Sequence, residues 1–159
     1  MHHIGIFYYS LTGTTEEFAN VIAKALINEK NHIEIAKIKT NVEVTGPYQK
    51  FGILNLPDFS TYDFILIGGP VWAFSICPVV AEFIKKSKGL SNKKVIPFIT
   101  MGFPLTFLGG NQSLKQMSKL IKENGGIALS GVVVTKLFHK INEMMEERAM
   151  QVVSIIRNT

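Results

Sequence analysis

Six consecutive residues carry the strongest chemical signal. Ser10-Leu11-Thr12-Gly13-Thr14-Thr15 follow an apolar run, Ile4 to Tyr9, and lead into a helical pattern. They supply four hydroxyls and a glycine suited to a tight turn. At the start of a helix they also supply backbone N–H groups with no carbonyl partner. Free amides, the positive end of the helix dipole and hydroxyl donors make an anion site that needs no Lys or Arg. The ligand that suits it is a phosphate monoester. The competing reading is a Ser/Thr helix cap that binds nothing. A cap uses one hydroxyl, and four in six residues exceed that need.

Other phosphate chemistries lack their residues here. The loop has no G-x-G-x-x-G and no Walker A lysine. Phe7-Tyr8-Tyr9 stands where a receiver domain needs acids, and the Cys and Arg of a phosphatase loop are missing. Two later segments add candidates. Pro70, Val71, Trp72 and Ala73 follow Gly68-Gly69, and Trp72, the sole Trp, offers a flat face that can stack on a planar ring. The alternative is a Trp packed in the core. Its place after Gly-Gly-Pro, past a strand ending at Ile67, argues for the open position. Thr100, Met101, Gly102 and Phe103 begin the third segment. His2, His3, His32 and His139 show no partner at ligand spacing, so no metal site is expected. Cys77 reads as a small buried filler rather than a depressed-pKa thiol, and no Ser/His/Asp set has a local signature.

The elements that position these segments follow from periodicity. Ile4 to Tyr9, Phe64 to Ile67, Val95 to Thr100 and Ile127 to Val134 are apolar runs fit for buried strands, and His32 to Ile38 alternates as a less buried one. Phe18, Val21, Ile22, Ala25 and Leu26 fall on one helical face. Val79 to Ile84, Leu114 to Ile121, and the stripe Ile141, Met145, Ala149, Val152, Ile156 make three further helices. Residues 40–62 form a long connection with a short helix expected near Tyr48. Alternating strands and helices imply a mostly parallel, doubly wound sheet with helices on both faces, in a single domain over 1–159. Ligands of such sheets bind beyond the carboxyl ends of the strands, where the strand order reverses. That rule selects the loops after Tyr9, Ile67 and Thr100.

Composition narrows the class. The chain of 159 residues has a net charge of +5, 47% hydrophobic residues and one Cys. A disulfide scaffold, a Cys-based zinc site and an iron–sulfur cluster are excluded, and a reduced cytoplasmic setting is expected. Phe64–Ala81 and Val95–Leu114 lack charge, but Gly and Pro interrupt both, so no membrane span is expected. Residues 83–122 hold eight Lys and no acid. That stretch reads either as a solvated face or as a surface for anions and acidic partners. No nucleic-acid partner is expected, because aromatics do not interleave with the lysines.

Ser10-x-Thr12-Gly13-x-Thr15 after the first strand, with Tyr62 to Trp72 around the third, resembles the flavodoxin-like superfamily. The resemblance implies a five-stranded parallel sheet of order 2-1-3-4-5. It also implies flavin mononucleotide (FMN) as cofactor. Its phosphate would lie on Ser10–Thr15, its ring against Trp72, and its pyrimidine edge on main-chain groups of Thr100–Phe103. Phe103 or Phe107 would cover the other face of the ring. The apolar 103–108 segment would be a lid, a docking patch or a dimer contact, or would pack against the 40–62 connection. The implied function is electron transfer to a redox partner protein or a small-molecule electron acceptor. A reductase fed by NAD(P)H is the alternative within that class, a non-redox phosphate-binding or interaction module the alternative outside it, and a homodimer is compatible with each. The chain departs from the best-known members in being basic, in lacking acids beside the expected ring site, and in carrying Ala73 where many have Gly. Those departures imply weak stabilisation of the one-electron-reduced flavin.

Overall fold

A computed structural model describes residues 1–102, 109–136 and 140–159. Its elements run β1 (His3–Tyr8), α1 (Thr14–Asn28), β2 (His32–Lys37), a 3-10 turn (Phe59–Thr61), β3 (Phe64–Trp72), β4 (Ser75–Ile76), α2 (Pro78–Lys86), β5 (Lys94–Met101), α3 (Gly110–Glu123), β6 (Ile127–Ala128), β7 (Val132–Thr135) and α4 (Ile141–Arg157). The sheet order is β2-β1-β3-β5-β6, with β7 also on β5 and the short β4 turned back on β3. All pairs are parallel except β3 with β4. This is the expected 2-1-3-4-5 sheet, its fifth strand divided in two.

Strand alternation feeds a core on each face. From β1, Ile4, Ile6 and Tyr8 pack with Phe18, Ile22 and Leu26 of α1 and Met145 and Val152 of α4. Phe7 and Tyr9 point the other way, toward Val79, Val80 and Phe83 of α2 and Met117 and Ile121 of α3. Each such Ile, Leu or Phe contributes about 1.5–3 kcal/mol on full burial.

Three departures from the sequence reading have physical causes. First, β3 does not end at Ile67 but runs on through Gly68-Gly69-Pro70 to Trp72. The glycines answer a packing need. A Cβ on Gly68 would lie 2.2 Å from the Phe98 ring, and one on Gly69 would lie 2.4 Å from Val80 Cγ2. Second, no helix forms near Tyr48, which is 97% exposed. The connection is instead anchored by buried Val44 and half-buried Phe51 and Ile53, and Thr40 bridges antiparallel to Ile53. Third, the last strand breaks between Ala128 and Val132. Leu129 N donates to Val95 O, so the next donor toward this edge is the nitrogen of Pro97, which has no hydrogen.

None of the described helices is long and apolar enough to cross a membrane.

Candidate site at the carboxyl edge of the sheet

The first loop turns from β1 into α1 at Gly13. Its φ of +97° lies in the left-handed region that a residue without Cβ adopts freely. Ser10 is buried, and its Oγ accepts from Gly13 N at 3.0 Å, which shapes the turn from within. Glu17 N donates to Gly13 O, the first helical bond, and among the described residues no side chain caps the helix. The amides of Thr14, Thr15 and Glu16 therefore lack intrahelical acceptors. Leu11, Thr12 and Gly13 are exposed and Thr14 is half-buried, so this amide nest faces solvent.

Thr15, the fourth hydroxyl of the loop, is also engaged within the fold. It is buried, and its Oγ1 shares a 2.7 Å hydrogen bond with Thr100 Oγ1 at the end of β5. Thr100 is likewise buried. The pair ties the first turn of α1 to the middle of the sheet beneath the loop.

The second segment is a hairpin end, not an open loop. Trp72 lies in β3, pairs with Ser75 and is half-buried, edge-on to Tyr9 with ring centroids 6.0 Å apart. Pro70 and Val71 are also half-buried. Ala73 (φ +47°) and Phe74 (φ +63°) close the two-residue turn, both exposed and both left-handed. That backbone suits a primed hairpin turn, which favours Asn and Gly. Ala and Phe there store strain of order 1–3 kcal/mol each.

The structure adds supports that the sequence reading missed. Gln116 Oε1 on α3 accepts from both Ser75 Oγ and Ile76 N, each at 2.9 Å. A Cβ on Gly109, at the start of α3, would lie 2.8 Å from Phe74 Cα, and Gly109 itself has φ +116°. Ser113 Oγ on the same helix is buried without a partner among the described residues. Nothing in the spacing of Gly109 or Gln116 distinguishes them from ordinary helix-start and helix-face residues. Of the third segment, Met101 is buried and Gly102 exposed. Phe103, Phe107 and the rest of 103–108 lie outside the described residues, as does His139.

Charge near the loop is mixed. Glu16 and Glu17 occupy the first turn of α1, where the helix dipole favours acids. Burial and then Glu16 push the Tyr8 phenol above its ordinary range. Beside the loop a cleft of about 510 Å³ is lined by Tyr9, Ser10, Leu11, Lys37 and Lys39, among others. Cys77 is fully buried, and burial pushes its thiol up to about 11, consistent with a filler.

The family model described as Flavodoxin domain matches residues 5–154. The chain belongs to the flavodoxin domain family. No curated protein matches the sequence significantly. Among solved structures, a candidate flavoprotein of Bacteroides eggerthii superposes with a TM-score of 0.74 at 20% identity, covering 99% of both chains. Oxidised flavodoxin 1 of Bacillus cereus gives 0.70 at 20% identity, again over 99% of each chain. A flavodoxin mutant of Fusobacterium nucleatum bound to flavin mononucleotide gives 0.65 at 14% identity, covering 99% of this chain and 96% of that one. At such identities the likeness establishes the fold.

Within this flavodoxin domain, much of the basic stretch is already engaged. Lys85 and Lys86 lie near Glu82, and Lys119 near Glu123. Lys93 Nζ donates to the carbonyls of Ser60 and Tyr62, and Lys94 Nζ sits 5.2 Å over the Phe64 ring. At the opposite, amino edge, His3, His32 and Glu34 come together in space, a grouping that their spacing along the chain does not show.

Proposed function

We propose that this flavodoxin domain holds FMN at the carboxyl edge of its sheet and works as an electron carrier. The observation that carries the reading is the uncapped, solvent-facing start of α1 at Gly13. Its neutral donors suit a phosphate monoester. Thr12 and Thr14 hydroxyls, with the main chain of Leu11 and the free amides of Thr14, Thr15 and Glu16, would hold the phosphate. Ser10 would keep the turn in shape, and Thr15 and Thr100 would brace it from below. The ring would lie against the Pro70–Ala73 end of β3, with Trp72 as its flat neighbour, and the main chain of Met101 and Gly102 would meet the pyrimidine edge. The flavin would supply the electron-accepting group, and the protein its orientation and electrostatics. Lysines of 83–122 would favour a partner that is acidic on its docking face.

The test is the visible spectrum of protein purified without added flavin, repeated after soaking in FMN and desalting. A retained two-band spectrum with quenched flavin fluorescence is the expected result. Trp72→Ala should then weaken retention about tenfold, the loss of one stacked aromatic contact. No retained flavin in either sample refutes the proposal. Bleaching by NADPH alone would refute the carrier role in favour of a reductase.

A further inference from the structure

The amino edge holds a constellation unrelated to the cofactor loops. β1 and β2 pair in parallel with His3 opposite His32, and Glu34 stands two residues along β2 on the same face. One ligand atom from each of the three lies within 4.8 Å of the others. His3 Nε2 is 3.0 Å from Glu34 Oε1, and a His32 ring nitrogen is 3.8 Å from the same oxygen. A four-coordinate cation with bonds of about 2.0–2.1 Å holds its donors about 3.3 Å apart, so shifts within side-chain rotamer freedom would close the set.

Surrounding groups orient these donors. His3 Nδ1 sits 2.8 Å from the carbonyl of Thr61, an acceptor only, so Nδ1 carries the proton. That leaves Nε2 to face Glu34 Oε1, so both atoms point at one place. Tyr62 Oη donates to Glu34 Oε2 at 2.6 Å, which leaves Oε1 for the cluster. The Tyr62 ring also packs against His3, with centroids 4.6 Å apart. A backbone carbonyl on the far nitrogen of a histidine and a hydrogen bond on the far oxygen of a carboxylate are the outer contacts that metal ligands carry. The His32 and Glu34 side chains are 68% and 51% exposed, so an ion can enter and keep water in its open positions.

We propose that His3, His32 and Glu34 form a binding site for a divalent first-row transition cation of the Zn²⁺ type. Two imidazoles and one carboxylate select such ions over Ca²⁺ and Mg²⁺, which take oxygen ligands. β1 is six residues long, so the site lies about 20 Å from the Ser10–Thr15 loop. It joins β1 to the edge strand β2 and stands apart from the cofactor reading.

Calorimetric titration of the full chain with ZnCl₂ near neutral pH tests it, beside parallel titrations with CaCl₂ and MgCl₂. The expected result is saturable uptake of one Zn²⁺ and none of Ca²⁺ or Mg²⁺. His32→Ala and Glu34→Gln should each weaken Zn²⁺ uptake at least tenfold. Both sit on an exposed edge, and their circular dichroism and midpoint of unfolding are measured without metal to establish that they fold. Uptake should fall as the pH drops and protons compete for the imidazoles. Absence of saturable uptake at millimolar Zn²⁺, or uptake unchanged in either folded variant, overturns the proposal.

Discussion

The two ends of the sheet are held in different ways. At the carboxyl edge the holding groups are amides, hydroxyls and backbone in sparsely populated conformations. Examples are the Gly13 turn, the Thr15–Thr100 pair, the Gln116 clasp and the Ala73-Phe74 hairpin end. At the amino edge they are ionisable side chains: Glu34 with Tyr62 and His3, Asp63 Oδ2 accepting from His3 N, and Asp58 capping the 3-10 turn. Neutral donors and fixed backbone geometry would give the proposed flavin receptor a shape set by groups that do not titrate. Exposed charged groups make a surface that responds to protons and cations. The difference separates a receptor from a titratable clasp on the same five strands.

The largest expected effect comes from breaking the packing under the receptor. Gly68→Ala puts a Cβ against three atoms of the buried Phe98 ring, which itself packs edge-on to Phe18 of α1 at 5.7 Å. Overpacking a close-packed core typically costs about 1–3 kcal/mol, and this case belongs at or above the upper end. Urea denaturation should show that loss. Flavin retention, if it accompanies the fold, should fall with it because α1 must shift. A loss under about 1 kcal/mol would mean that Phe98 moves freely and that the packing under this edge is not rigid.

That glycine pair also shows what the sequence made legible. Helices and strands emerged from periodicity, because each buries one face or one stripe against the same sheet. The phosphate-loop candidate emerged from hydroxyl density at a strand–helix junction. Gly68-Gly69-Pro70 was misread as a strand end, since glycine's role there is set by Phe98 and Val80, which only the folded sheet brings near. The fate of Thr15 was hidden for the same reason: its partner is 85 residues away. His32 and Glu34 share one face of β2, but the sequence reading gives neither a partner, and His3 joins them only through parallel register with β1. Near Tyr48, single apolar anchors replaced the helical spacing that a helix would need.

A smaller effect tests the hydroxyl pair. Thr15→Val or Thr100→Val alone leaves one buried hydroxyl without its partner, at a cost of about 1–3 kcal/mol. The double substitution removes both and should cost less than the sum of the singles. A double-mutant cycle in urea reads the coupling directly. Additive losses would show that the 2.7 Å contact is not what ties α1 to β5.

The smallest effect is the most specific to the amino edge. The hydrogen bond from Tyr62, then that from His3, hold the Glu34 carboxyl below its ordinary value. Bonds from Ser60 do the same for Asp58. Folded-state values below the unfolded ones mean stability that is present above the ordinary carboxylate range and lost as pH falls through the depressed values. The acid limb of stability against pH should therefore report on this edge. Glu34→Gln should flatten that limb, whereas Thr15→Val, at the other edge, should lower the whole curve without changing its acid slope. The alkaline limb is not edge-specific. Tyr62 is pushed up to about 12 by burial and then Glu34, but Tyr8 and Tyr9 at the carboxyl edge are raised too. If Glu34→Gln left the acid slope intact, the carboxylate would be idle in the absence of metal. The contrast between a neutral receptor and a titratable clasp would then rest on the cation site alone.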